Sequence, residues 1–82
     1  MTREAVLEVL GKIIEPDLKN DLVSLNLIEN IQVEAQSILL EVRISNPALH
    51  ARKRMQEAIE FNLKRVFGQE IDNDVRIVLL VR

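Results

Sequence analysis

No cysteine, tryptophan or tyrosine occurs in this chain, and each absence closes off chemistry. Without thiols there is no disulfide, no thiolate nucleophile, and no zinc or iron–sulfur site built on the chain's own sulfur. The aromatic side chains are Phe61 and Phe67 alone, too few for a platform on which nucleic-acid bases stack. The two glycines, Gly11 and Gly68, stand far apart, which excludes a glycine-rich loop that cradles nucleotide phosphates. Apolar runs stay far below the roughly 20 residues that a membrane-spanning helix needs. No basic-then-apolar leader opens the chain. Together these absences predict a soluble chain in the cytoplasm, a reducing compartment compatible with a cysteine-free protein.

What is present fits one small folded unit. Across 82 residues, 48% of positions are apolar, enough for a single two-layer core. Thirteen acidic side chains against eleven basic ones leave a net charge of −2, a mixed surface rather than the basic face of a general nucleic-acid binder.

Periodicity supplies the elements. Thr2 is placed to cap a first helix, with Glu4 in its first turn, and Val6, Val9, Leu10, Ile13 and Ile14 follow one-sided helical spacing. Gly11 predicts close packing or simple tolerance inside that helix, and Pro16 stops it. Alternation at Val23, Leu25 and Leu27 predicts a short strand, resuming at Ile31 and Val33 after a bend or bulge at Glu29-Asn30. Ala35-Gln36-Ser37 is a break of hairpin length before a plain strand with Ile38, Leu40, Val42 and Ile44 inward. Asn46 is placed to cap a second helix whose first residue is Pro47. Its stripe runs through Ala48, Ala51, Met55, Ala58, Ile59, Leu63 and Val66, with Phe67 beside its end, and Gly68 is expected to take a left-handed C-cap. An acidic loop from Gln69 to Asp74 then leads to a strand from Val75 to Val81, apolar on both faces and so expected inside the sheet or under a partner. The reading is an α+β, two-layer helix-on-sheet domain with a mixed sheet and the order α-β-β-β-α-β, its first two strands short or one bent strand, over residues 1–82.

Three constellations carry chemistry. Glu15, Asp17 and Asp21 gather carboxylates that form either a solvated loop or a ligand set for a hard cation, though without the glycine and bidentate glutamate of a calcium loop. Arg52-Lys53-Arg54, with Arg43 nearby and Glu57 and Glu60 in compensating range, is either a solvated face or an anion or partner site. His50 is the lone histidine, with no second soft ligand for a metal and no nucleophile to serve as base.

The turn that joins the plainest strand to the plainest helix also carries a resemblance. Ser45-Asn46-Pro47-Ala48-Leu49, a strand-end Ser/Thr-x-Pro-small-x leading into an amphipathic helix, resembles the PaaD/SufT-like iron–sulfur assembly domain. That domain also forms the N-terminal part of Mrp/ApbC-type P-loop ATPases. Glu15-Pro16-Asp17-Leu18 is similar to the family's Asp-Pro-Glu-Leu, with the two acids exchanged. Asp21-Leu22-Val23-Ser24-Leu25-Asn26-Leu27-Ile28 is similar to its Asp-Ile-Val-x-Leu-Gly-Leu-Val. The resemblance implies a helix-on-sheet fold and an accessory role in cluster assembly or delivery, here as the possible front end of a longer ATPase. The family turn places its cluster-handling cysteine where this chain has Leu49, and a proline where it has His50. The expected domain therefore has no cofactor or metal of its own, no catalytic residue, and no nucleic-acid or membrane partner. It docks a cluster scaffold, a client protein or a sister subunit, through contacts drawn from Glu15, Asp17, Asn46, Leu49, His50, Arg52, Lys53 and Arg54. Leu49 is expected to pack toward the core or a partner. The alternative is a freestanding interaction or homodimerisation module that has lost any cluster role.

Overall fold

The computed structural model describes residues 2–46 and 48–79. Its elements are α1 (Arg3–Leu10), β1 (Ile14–Glu15), β2 (Asn20–Asp21), β3 (Ile28–Val33), β4 (Ser37–Ile44), α2 (Leu49–Phe67) and β5 (Asp72–Leu79). β1 and β2 form a small antiparallel ladder, and the main sheet has the order β3-β4-β5. β3 runs antiparallel to β4, and β5 runs parallel to it. A parallel pair needs a crossover longer than a hairpin, and α2 supplies it.

The core follows from alternation on β4. Ile38, Leu40, Val42 and Ile44 are buried, while Leu39, Glu41 and Arg43 on the other face are only partly covered. Both helices pack on the buried face. Val6, Val9 and Leu10 of α1 meet Met55, Ile59 and Leu63 of α2 in one cluster with the β4 residues and Val75. The opposite face carries Gln32, Glu41, Arg43 and Arg76, and Arg43 pairs with Glu29 at 2.6 Å. This is the α+β, helix-on-sheet arrangement with a mixed sheet read from the sequence.

Several boundaries differ, each for a local reason. α1 ends at Leu10, not at Pro16. Gly11 takes the C-cap, and Lys12 and Ile13 donate to Val9 and Leu10 in a tightened last turn. Ile14 therefore leaves the helical stripe and is 56% exposed. The Gly11 position is close-packed, with an ideal Cβ standing 3.3 Å from the Leu7 carbonyl oxygen.

Residues 22–26 form turns rather than a strand. Asp21 Oδ1 accepts from Val23 N at 3.0 Å and Ser24 N at 2.8 Å, giving those amides a local partner in place of a ladder. Asn26 completes the turn at φ 56°, and the buried residues become Leu22 and Leu27. The bulge expected near Glu29-Asn30 is present as a register shift between Ile28 and Asn30.

In α2, Met55, Ile59 and Leu63 are buried but Val66 is exposed, so the stripe turns outward at its last turn. Gly68 has φ 111° and ψ 152°, a positive φ but not the left-handed helical cap. β5 begins at Asp72, three residues before the expected strand, because its ladder with Ser37, Ile38 and Leu39 recruits Asp72, Asn73 and Asp74. It lies at the sheet edge rather than inside. The expected strand residues Leu80 and Val81 lie outside the described residues.

Candidate functional site

Two connections meet at one end of the domain. The first runs from α1 through β1 to Leu18, and Glu15 organises it. Its side chain is 2% exposed, with Oε1 accepting from Asp17 N at 3.0 Å and Oε2 from Leu18 N at 3.2 Å. Its carbonyl oxygen also accepts from Lys19 N at 2.7 Å, and Lys19 closes the turn at φ 60°. A buried carboxylate thus satisfies the amides of a loop too tight to pair them with a strand.

The second connection leaves the end of β4. Asn46 Oδ1 accepts from Ala48 N at 2.9 Å, and α2 begins at Leu49 with Ala48 as a cap that makes no side-chain bond. Asn46 therefore shapes the turn that precedes the helix, and does not cap the helix as expected. The expected role of Pro47 as first helical residue lies outside the described residues.

Between these connections lies an open cleft of about 310 Å³. Ile13, Ile14, Glu15, Pro16 and Asp17 form one wall, and Ile44 and Asn46 form its floor. The wall opposite is the first three turns of α2, through His50, Ala51, Arg54, Met55 and Ala58. Its apolar interior thus carries carboxylates on one side and a guanidinium and an imidazole on the other. Such a cleft suits an amphipathic segment better than a small anion.

Five of the sequence-derived contacts meet here: Glu15, Asp17, Asn46, His50 and Arg54. Leu49, Arg52 and Lys53 do not line the cleft. Leu49 is 79% exposed, which overturns packing toward the core. Arg52 is half-buried, with Nε shielded and unbonded, and Lys53 is exposed. Arg43 is engaged with Glu29 across the sheet and does not reinforce the basic cluster. Among the described residues the ion pairs are Arg43–Glu29 and Arg76–Asp74, so Glu57 and Glu60 make no ion pair with Arg52, Lys53 or Arg54.

The acidic trio also separates. Asp21 turns to its own amides, and the Ser24 hydroxyl and N–H, followed by the Val23 N–H, hold its carboxyl below the ordinary range. Among the described residues no group of three or more His, Cys, Asp or Glu side chains is placed to hold a metal ion. Ile14, Ile44, Met55 and Ala58, the apolar part of the lining, read in the sequence as core-facing stripe positions and not as a cleft. Only the helix-breaking Gly11 hinted that Ile14 would leave its stripe.

Comparison with known proteins now decides the family. A model described as "iron-sulfur cluster assembly protein" matches residues 3–75. The chain belongs to that family. Its fold is similar to a crystal structure of a domain of unknown function, DUF59, from Bacillus anthracis, with a TM-score of 0.77 at 14% identity over 92% of this chain and 72% of that one. No curated protein matches the chain. Among the described residues no helix of this family member is long and apolar enough to cross a membrane.

The donor set does not fit an iron–sulfur cluster held by this chain alone. Cluster iron takes thiolates, occasionally imidazoles, and the chain has no cysteine and one histidine.

Proposed function

We propose that this domain is a non-catalytic accessory element of iron–sulfur cluster assembly or delivery, which docks partner proteins and leaves cluster ligation to them. The observation that carries the reading is Leu49. At the position where the resemblance puts a cluster-handling cysteine, the first residue of α2 presents a largely exposed leucine. A leucine side chain offers no donor to a metal, and beside the cleft-lining His50 its exposure supports contact with a partner. Glu15, Asp17, Asn46, His50 and Arg54 shape the receiving cleft, and Leu49, Arg52 and Lys53 extend the contact along the start of the helix. The partner is a cluster scaffold, a client or a sister subunit, in the cytoplasm. No nucleophile paired with a base supports catalysis by this chain.

The same reading makes the domain the front end of a longer Mrp/ApbC-type ATPase. The parent reading frame tests that version directly, because it requires a P-loop sequence downstream of Arg82.

Anaerobic reconstitution with iron and sulfide tests the ligation claim, and the isolated domain is expected to stay colourless. A cluster chromophore on the monomer would overturn it. Cluster transfer from scaffold to apo-client, with and without the domain, tests the docking claim. Transfer should slow when the domain is removed, and more mildly for Leu49→Asp. Unchanged transfer would favour the second reading, a freestanding dimerisation module, to which the open edge of β5 lends support.

A further inference from the structure

β5 has one hydrogen-bonded neighbour, β4, and its other edge meets no strand among the described residues. Its pairing with β4 runs without a register shift from Asp72 to Leu79, so the open edge is a regular template eight residues long. β3, at the far side of the sheet, is interrupted by its bulge. Bulges spoil an edge for pairing, and β5 lacks that protection.

Charge selects the occupant. Asp74 and Arg76 project from the outer face and pair within the strand at 3.2 Å, both more than half exposed. We propose that β5 pairs antiparallel with β5 of a second copy, about a two-fold axis through Val75. Asp74 of each copy then lies directly opposite Arg76 of the other, Val75 faces Val75, and Asn73 faces Ile77. Centring the axis on Arg76 sets two arginines opposite each other, and centring it on Asp74 sets two aspartates opposite each other between two Asp72–Arg76 pairs, whereas the Val75 register has opposite charges at both contacts and no like pair. An axis between residues would join inward side chains to outward ones and put the two helix layers on opposite faces. The Val75 register keeps both layers on one face and joins two three-stranded sheets into one of six. The contact is isologous, as a closed dimer requires. It is also small, so the association is weak and depends on concentration. The pairing does not rest on a role in cluster assembly.

Sedimentation equilibrium of the chain over a range of concentrations is expected to show a monomer–dimer equilibrium. Asp74→Arg and Arg76→Asp should each weaken it about tenfold or more, because both contacts become like-charged. Mixing the two variants should restore association as a heterodimer, since opposite charges again meet at both contacts. Circular dichroism verifies the fold of each variant, and Asp74→Lys with Arg76→Glu provides a second pair. A chain that stays monomeric, a dimer indifferent to both reversals, or a mixture no tighter than either variant alone would each overturn the pairing.

Discussion

Replacing Glu15 tests whether its buried carboxylate holds the cleft wall in place. Its two oxygens accept from Asp17 N at 3.0 Å and Leu18 N at 3.2 Å, while the side chain is 2% exposed. Hydrogen bonds to a charged group contribute about 1.5–3 kcal/mol each. Asp17 and Leu18 are themselves exposed, so their amides regain water when the carboxylate is lost, and part of that value returns. The desolvation already borne by the carboxylate offsets more. Glu15→Ala should therefore cost about 2–3 kcal/mol, and Glu15→Gln, which keeps the shape and one acceptor oxygen, about 1 kcal/mol. In a domain of this size 1 kcal/mol moves Tm by about 4–8 °C, so thermal unfolding separates the two variants easily. Hydrogen exchange adds a local readout, with faster exchange at the Asp17 and Leu18 amides in both variants. If Glu15→Ala unfolds within about 0.5 kcal/mol of the parent in urea, the carboxylate does not organise the loop, and its burial needs another cause.

Gly68 sits at φ 111° and ψ 152° with nothing within 4 Å of an ideal Cβ, so Gly68→Ala should cost about 1–3 kcal/mol through backbone strain alone, measured by urea unfolding. Asp21 titrates below its ordinary value when folded, so its contribution is complete above the unfolded pKa and is lost as pH falls through the lower folded pKa. Stability measured below about pH 4 should therefore decline less steeply in Ser24→Ala, whose missing hydroxyl lets the Asp21 pKa rise in a carboxyl NMR titration. Leu49→Cys should leave stability within about 0.5 kcal/mol of the parent, since the side chain is exposed. Reconstitution of that variant then reports whether the turn geometry still suits a cluster ligand.

The legible parts of the fold were those where burial on one face imposes a period. β4 shows this most plainly, because its inward residues share one buried cluster with both helices and tolerate no exception. The middle of α2 is similar. Periodicity misled where side chains satisfied the backbone locally. The alternation at Val23, Leu25 and Leu27 has strand spacing, yet Asp21 captures two amides and converts it into turns. Asp21 itself was the available signal, because aspartate competes for nearby N–H groups wherever a strand is not yet fixed by neighbours. β5 was misplaced for a different reason. Its polar first residues join the ladder through backbone bonds to β4, which no side-chain pattern reports.

The site shows the same division between sequence and space. The basic run Arg52-Lys53-Arg54 reads as one feature, but a helix turns successive residues through about 100°, so one run cannot share one face. Arg54 lines the cleft with His50, four residues earlier, while Lys53 points to solvent and Arg52 is half-buried. The carboxylates divide as well: Glu15 is consumed by its loop, Asp21 by its turn, and Asp17 alone lines the cleft with an exposed side chain. What stays exposed around the cleft is Asp17, across from His50 and Arg54 over a floor of Ile44 and Asn46, with Leu49 at the start of the helix. Under the docking reading proposed above, a partner segment that carries a basic group toward Asp17, an acidic one toward Arg54 and an apolar residue between them complements all three.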